Sequence, residues 1–376
     1  MLTVRRCSLT LLGSCFCSLV VLHLLVAPFN PLAHVSWVID GLQQGRIVRT
    51  RVRSYAPNEG VVFLKTHKTG SSTVSSILWH SLCDDTLADA RNCFLPPRDH
   101  PGKTWDVRKS GDWEALQRDS GGRFPYSVWV HHAVYSPLLF EAVPSAERMI
   151  SIVRRPSSRF QSAWHWYNHS SFLRMDLSQF AVQQSLGTFH HSKFKYRSGL
   201  DATTEELTGV ADVRSKSWWV QQTAFAELVD RIISNRLLLL VSERFDESLV
   251  VLGALMQWPG VDRLVYFKHK VGSYPQAPKE TLTRLDSQQP FDLALWTLAN
   301  HILDFYIRDL FYGSANFTQH VALLREANAQ LNTKCSSPPP TDAPLCVCRR
   351  LRDNSVVVRD SWDGDSTPRP HLCAAD

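Results

Sequence analysis

The sequence predicts an α/β domain, a parallel sheet wrapped by helices, preceded by a single N-terminal transmembrane helix. Three observations predict it. Short apolar runs of buried-strand type recur at 61–64, 127–130, 149–153 and 237–241, as in strands covered on both faces. Three of these four runs lead into a polar loop and then a segment of helical period, the rhythm of a parallel sheet. An uncharged stretch at 7–27 precedes them all. With 44% hydrophobic and 20% charged residues among 376, the chain can bury a sizeable core, which excludes a mainly disordered protein. A net charge of +6 suits an anionic small ligand better than a coat of nucleic acid. No fixed-period repeat or long run of one charge is present, which argues against solenoids and charged tails.

Residues 1–6 carry Arg5 and Arg6 and are expected as a cytoplasmic tail. The 21 residues 7–27 follow. At 1.5 Å rise they match roughly the ~30 Å hydrocarbon core, and the paired arginines favour a cytoplasmic N-terminus. A cleaved signal peptide would have a shorter apolar region, about 7–15 residues, and Pro28 suits no cut before it. By either route the bulk of the chain enters the secretory pathway. Cysteine usage agrees. Of nine cysteines, Cys7, Cys15 and Cys17 lie in the apolar stretch, and Cys83, Cys93, Cys335, Cys346, Cys348 and Cys373 lie beyond it. An even set in an oxidising lumen suggests disulfides, with 15 pairings open. The Cys346–Val347–Cys348 spacing is not that of a zinc knuckle. Two glycosylation triplets, at Asn168 and Asn316, fit the same compartment.

Residues 28–60 show no clear period, contain Pro28, Pro31 and Pro57, and carry a basic cluster from Arg46 to Arg53. They are expected to be a stem, with the main domain spanning 61–335. Within it, Val74, Ile77, Leu78 and Leu82 recur at helical spacing, as do Phe225, Leu228, Val229, Ile232 and Ile233, and Leu295, Leu298, Ile302, Phe305 and Tyr306. These stripes are core. Residues 336–376 form a Pro-rich linker and a Cys-containing tail with a strand-like Val356–Val357–Val358.

Two constellations carry chemistry. Lys65, Thr66, His67, Lys68, Thr69, Gly70, Ser71, Ser72 and Thr73 lie between the first strand and a helix. A helix N-terminus offers unpaired N–H groups and partial positive charge, and the lysines and hydroxyls add to them. Gly70 permits a tight turn. The segment is an anion cradle but not a Walker A loop, because Ser71 rather than Lys follows Gly70 and position 65 is not glycine. Arg154, Arg155 and Arg159 open the second, where the strand 149–153 runs into Pro156 at a first helical position. Arginine forks match phosphate oxygens. Two cradles suggest a ligand with two separated phosphates. Trp164, His165, Trp166 and Tyr167 follow and are read as core packing.

The first constellation resembles the 5′-phosphosulfate loop of the galactose 3-O-sulfotransferase family, Leu-Lys-Thr-His-Lys-Thr-x-Ser-Ser-Thr. Arg154 and Ser162, eight positions apart, resemble that family's 3′-phosphate motif, and residues 240–252 resemble a third segment. The family's strand-end histidine corresponds to His131, although the arginine that follows in the family is missing here. The resemblance implies a P-loop-like sulfotransferase fold. It further implies PAPS (3′-phosphoadenylyl sulfate) as sulfuryl donor without a metal, Golgi residence as a single-pass type II protein with a lumenal domain, and a galactose-terminated glycolipid or glycan as acceptor. A homodimer is admissible and nucleic acid is not expected as a partner.

On this reading Lys65 and Lys68 stabilise the leaving phosphate oxygen, and Lys65, Thr66, Lys68, Thr69, Gly70, Ser71, Ser72 and Thr73 hold the donor's 5′ end. Arg154 and Ser162, with Arg159 as a further candidate, hold its 3′-phosphate. His131 or His67 is the base; His132 should point to the other face by strand alternation. A nucleotide kinase would want a lysine after a P-loop glycine and a later aspartate for Mg²⁺, and neither is seen. A glycosaminoglycan sulfotransferase and an inactive glycan-binding relative are the other readings.

Overall fold

A computed structural model describes residues 29–83, 92–94, 104–118, 124–186, 199–266, 274–311 and 314–336. The expected anchor at 7–27, the tail with Cys346, Cys348 and Cys373, and Val356–Val358 lie outside the described residues, as does the side chain of Cys335. No helix among the described residues is long and apolar enough to cross a membrane.

The chain opens with α1 (Pro31–Gln43), then β1 (Val61–Leu64) and α2 (Ser71–Leu82). Next come α3 (Ser110–Arg118), β2 (Val128–Trp129), α4 (Leu139–Ala142) and β3 (Met149–Val153), which runs into α5 (Pro156–Trp166). The helices α6 (His169–Leu173), α7 (Leu177–Ser185), α8 (Ala202–Thr208) and α9 (Trp218–Ile233) lead to β4 (Leu237–Val241). The described fold closes with α10 (Phe245–Leu255), α11 (Lys279–Ser287), α12 (Pro290–Leu310) and α13 (Ser314–Ser336).

The four strands form one parallel sheet in the order β2-β1-β3-β4. Val62 faces Trp129 on one side and Met149 on the other, and Val153 faces Val241. Every strand residue except Ser151 is apolar and all are buried, because helices cover both faces. Ser151 is satisfied by donating to the Leu64 carbonyl at 2.8 Å. The helical stripes named above are buried at Val74, Ile77, Leu78, Leu82, Phe225, Leu228, Val229, Ile232, Leu295, Leu298, Ile302 and Tyr306.

The connection from β1 leads to β2 on one side, while that from β3 leads to β4 on the other. The crevice outside the carboxyl ends of β1 and β3 is therefore the topological switch point, where open α/β sheets bind ligands.

The stretch 28–60 departs from the stem expectation. Asn30 caps α1 by accepting from the N–H groups of Leu32 and Ala33, and Val35, Val38, Ile39 and Leu42 are buried in the main core. The stripe at 35, 38, 39 and 42 is helical spacing, but Pro28 and Pro31 mask it: Pro31 sits at the first helical position, where proline is well tolerated. The basic cluster is tied into the fold as well. Arg49 pairs with Asp309 and donates to Asn235 at 3.2 Å. Glu59, just before β1, forms a buried ion pair with Arg148, just before β3, at 3.0 Å. Cys83 and Cys93 form a disulfide, one of the pairings the sequence left open.

Candidate active site

Between β1 and α2 the chain turns through two left-handed residues, Lys68 at φ 64° and Gly70 at φ 85°. Gly70 tolerates this conformation without cost, whereas lysine does not, so the loop must be held by its surroundings. Three hydroxyls hold it. Thr66 Oγ1 donates to the Ile152 carbonyl at 2.6 Å and accepts from Thr69 Oγ1 at 2.9 Å, and Ser71 Oγ donates to the Thr66 carbonyl. All three residues are buried. Expected as donor-binding groups, they have hydroxyls directed into the loop itself, leaving only their main-chain N–H groups for a ligand. The half-buried Ser72 and Thr73 keep side chains at the surface.

Gly70 caps α2 without any side-chain hydrogen bond. The Thr73 N–H is taken by the Gly70 carbonyl at 3.0 Å, but no side-chain oxygen caps the Ser71 and Ser72 amides, which is the condition for an anion site at a helix N-terminus. Lys65 and Lys68 are half-buried beside it, and Lys68 Nζ lies 4.1 Å from the centroid of the Trp166 ring, a cation–π contact that holds the ammonium over the indole. Trp164 of the same aromatic run is core, as expected, whereas Trp166 is 57% exposed. The structure therefore adds Trp166 to the site.

The second cradle divides. Arg154 Nη1 donates to the Lys68 carbonyl at 3.3 Å, which brings the end of β3 to the loop after β1. Arg155 instead pairs with Asp286 at 2.8 Å, and the same carboxylate accepts from the Ser157 N–H at 2.8 Å. The N-terminus of α5 is therefore already filled by a protein carboxylate and is no open cradle. Arg159 is fully buried, donates to the Gly199 carbonyl at 2.6 Å and to Gln289 at 3.1 Å, and lies 3.4 Å from Asp292. It is a core residue rather than a ligand-binding one. Ser162 is half-buried on α5, two turns from Arg154.

The histidines also rearrange the expectation. β2 ends at Trp129, so strand alternation does not extend to residues 131 and 132. His132 does not point away: its ring stacks on His67 at 3.9 Å with 19° between planes, and its Nδ1 lies 2.6 Å from the Lys65 carbonyl. Burial, with His67, Lys65 and His131 close by, pushes its pKa well below the ordinary histidine value, so it stays neutral. His131 is buried with its Nδ1 3.4 Å from the His132 carbonyl and its ring edge-on to Phe94. Its main-chain carbonyl accepts from Lys65 N at 3.3 Å.

His67 is buried and paired with Glu206 on α8. Glu206 Oε2 accepts from the His67 main-chain N–H at 3.0 Å, and Oε1 pairs with the ring Nδ1. Glu206 was invisible to motif reading, since 139 residues separate it from His67. Its one signal is that residues 203–206, Thr-Thr-Glu-Glu, form a polar run that ends up wholly buried.

Among the described residues no group of three or more His, Cys, Asp and Glu is placed to hold a metal ion. A cavity of about 190 Å³ lined by Tyr135, Met149, Arg231 and Leu237 opens at the amino ends of β3 and β4, the wrong end of the sheet for this loop. The chemistry therefore gathers at the switch point: an uncapped helix N-terminus, two lysines, Arg154 and a carboxylate-bound histidine.

Comparison with known proteins adds a second line. A family model described as galactose-3-O-sulfotransferase matches residues 1–345. The chain is similar to galactose-3-O-sulfotransferase 3 of Homo sapiens, with 26% identity over 314 residues, or 77% of this chain and 66% of that protein. It is similar to the Mus musculus protein of the same name at 24% over 346 residues, covering 85% and 74%. To galactosylceramide sulfotransferase of Homo sapiens it is 26% identical over 328 residues, covering 84% and 73%. The chain thus spans about two thirds to three quarters of the length of these relatives. No solved structure matches it.

Proposed function

The chain belongs to the galactose-3-O-sulfotransferase family, and from that premise we propose that it transfers a sulfuryl group from PAPS to a sugar hydroxyl, the 3-OH of a terminal galactose on a glycolipid or glycan. The observation that carries the reading is the β1–β3 crevice, where Arg154 bonds the Lys68 carbonyl in the loop that leads to the uncapped start of α2. A donor with two separated phosphates fits that pair of cationic points.

PAPS, when bound, supplies the sulfuryl group, and its phosphate takes up charge as that group departs. The Ser71 and Ser72 amides of α2, with the side chains of Ser72 and Thr73, hold the 5′ end. Lys65 and Lys68 place positive charge where the leaving oxygen becomes anionic, which lowers the barrier because the site needs no reorganisation. Arg154, with Ser162, holds the 3′-phosphate through charge-assisted bonds. A histidine beside the loop takes the acceptor proton. In-line transfer of this kind depends on positioning and charge more than on covalent chemistry.

The Cys83–Cys93 disulfide and the exposed asparagines of the two glycosylation triplets, Asn168 and Asn316, support a lumenal domain, with residues 7–27 as a Golgi signal-anchor. Protection of the domain from protease in intact vesicles checks that topology; cleavage there rejects it. The function is tested with the full chain in detergent, labelled PAPS, and galactosylceramide, lactosylceramide, N-acetyllactosamine and heparan in parallel. Label on a β-galactoside, lost in Lys68→Ala, is the expected result. Label on heparan alone would move the enzyme to another acceptor class. PAPS binding with no labelled acceptor would leave a binding protein.

A further inference from the structure

The sequence offers two histidines as base, and the structure treats them differently. His131 is as buried as His67 and stands edge-on to Phe94, with its Nδ1 3.4 Å from the His132 carbonyl. His67 is clamped. One carboxylate grips it at two atoms, the main-chain N–H at 3.0 Å and the ring Nδ1, and His132 stacks on the ring face. We propose that Glu206 is the positioning residue for His67: it fixes the imidazole as the Nδ1–H tautomer and turns Nε2 to the acceptor hydroxyl. This rests on the sulfuryl-transfer reading above.

The side chain of Glu206 is 2% exposed. A buried carboxylate needs donors, and it has two from one residue, so the ring nitrogen facing it is the protonated one. In a neutral imidazole the proton on Nδ1 leaves the lone pair on Nε2. Among the described residues no hydrogen-bond partner reaches Nε2. In the reaction the acceptor proton moves to Nε2 while its oxygen forms the new bond to sulfur. The bond from sulfur to the donor's phosphate oxygen breaks, and its electron pair leaves with that phosphate. The carboxylate then faces an imidazolium rather than a neutral ring, so its attraction is greater in the transition state than before it, which is the interaction that raises rate.

Glu206 is itself anchored. Its carbonyl accepts from Tyr135 N at 2.8 Å, and the next carbonyl, of Leu207, accepts from Arg231 at 3.0 Å. The N-terminus of α8 is capped by Asp292, which accepts from Thr203 N at 3.2 Å and Thr204 N at 2.7 Å. His132 completes the clamp. Its own Nδ1 donates to the Lys65 carbonyl, and because it stays neutral it can stack on His67 without repulsion.

The test has two readouts. Selective ¹⁵N-histidine spectra of the full chain, with His67→Gln to assign the signal, report the tautomer without any turnover. The expected wild-type spectrum shows Nδ1 protonated and Nε2 bare; an Nε2–H tautomer overturns the proposal. Glu206→Gln keeps size and one acceptor but removes the charge. It should lower kcat by about 100-fold or more, in the range of a general-base contribution, with KM for donor and acceptor within a few-fold. If the variant instead loses donor affinity and melting temperature while kcat and tautomer hold, Glu206 is a brace for the loop and the proposal fails. A wild-type chain that sulfates nothing would reject the transfer reading, and the tautomer spectrum would still judge the clamp.

Discussion

Arg154, Arg155 and Arg159 are indistinguishable by residue type and sit within six positions, yet they meet different fates. Arg155 closes on Asp286 and Arg159 on Asp292, Gln289 and Gly199, so two of the three are neutralised or hydrogen-bonded by the protein. Arg154 alone reaches the loop after β1. Arg154→Ala should therefore weaken binding of adenosine 3′,5′-bisphosphate by about 10- to 100-fold, the worth of one or two charge-assisted bonds, as read by calorimetry. Arg155→Ala should leave that affinity within about threefold. Equal losses in both would show that the cluster acts as a diffuse field. The motif was legible as a cluster, but Asp286 and Asp292 are more than 120 residues away in sequence, and nothing local announces which arginine each will take. The same holds for Glu206. His132 departs from its expected face for a different reason: alternation holds only while the strand lasts, and β2 stops at Trp129.

At the scale of elements, the strands and the stripes of α2, α9 and α12 were legible because their pattern is dictated by burial. β2 shrinks to two residues inside the expected 127–130 run. α1 was not legible, since a helix of 13 residues flanked by prolines and basic residues reads as a spacer until its partner is known. That partner is α12, whose own start, Phe291, meets Phe29 ahead of α1 with ring centroids 6.0 Å apart. Helices this short gain most of their stability from packing an apolar face. Ile39, 7% exposed in the main core, is the informative position. Ile39→Ala should cost about 2–3 kcal/mol through lost burial and a residual cavity, a drop of roughly 4–10 °C in melting temperature. A true stem would shrug it off, and a change under about 1 °C would restore the stem reading. A fragment that begins at residue 46 would lack α1 altogether and expose its seat on α12, so fragments should begin ahead of Asn30.

For the whole molecule, the buried acids set how stability follows pH. Burial, with Asp292 and Asp201 nearby, pushes the Glu205 carboxyl up to about 8, and burial beside Asp292 raises Asp201 as well. Each keeps its proton in the folded chain at pH values where the unfolded chain has lost it. Folding then binds more protons than unfolding, and stability falls as pH rises. The contribution of Glu205 is full below its ordinary value of 4.5 and is lost as pH climbs through about 8. His132 works in the opposite sense. Its pKa is depressed by burial and by His67, Lys65 and His131, so its cost appears as pH falls below 6.5; His34 and His169, lowered by burial, add to it. The two trends bracket a maximum in mildly acidic solution, the condition suited to the lumenal site proposed above. Melting temperature should peak near pH 6 and decline toward pH 8.5. Glu205→Gln retains the oxygen that accepts from Val213 N at 3.2 Å but cannot ionise, so its alkaline decline should be visibly flatter than that of the wild type. An unchanged slope would place the decline elsewhere in the molecule, with Asp201 the next group to neutralise.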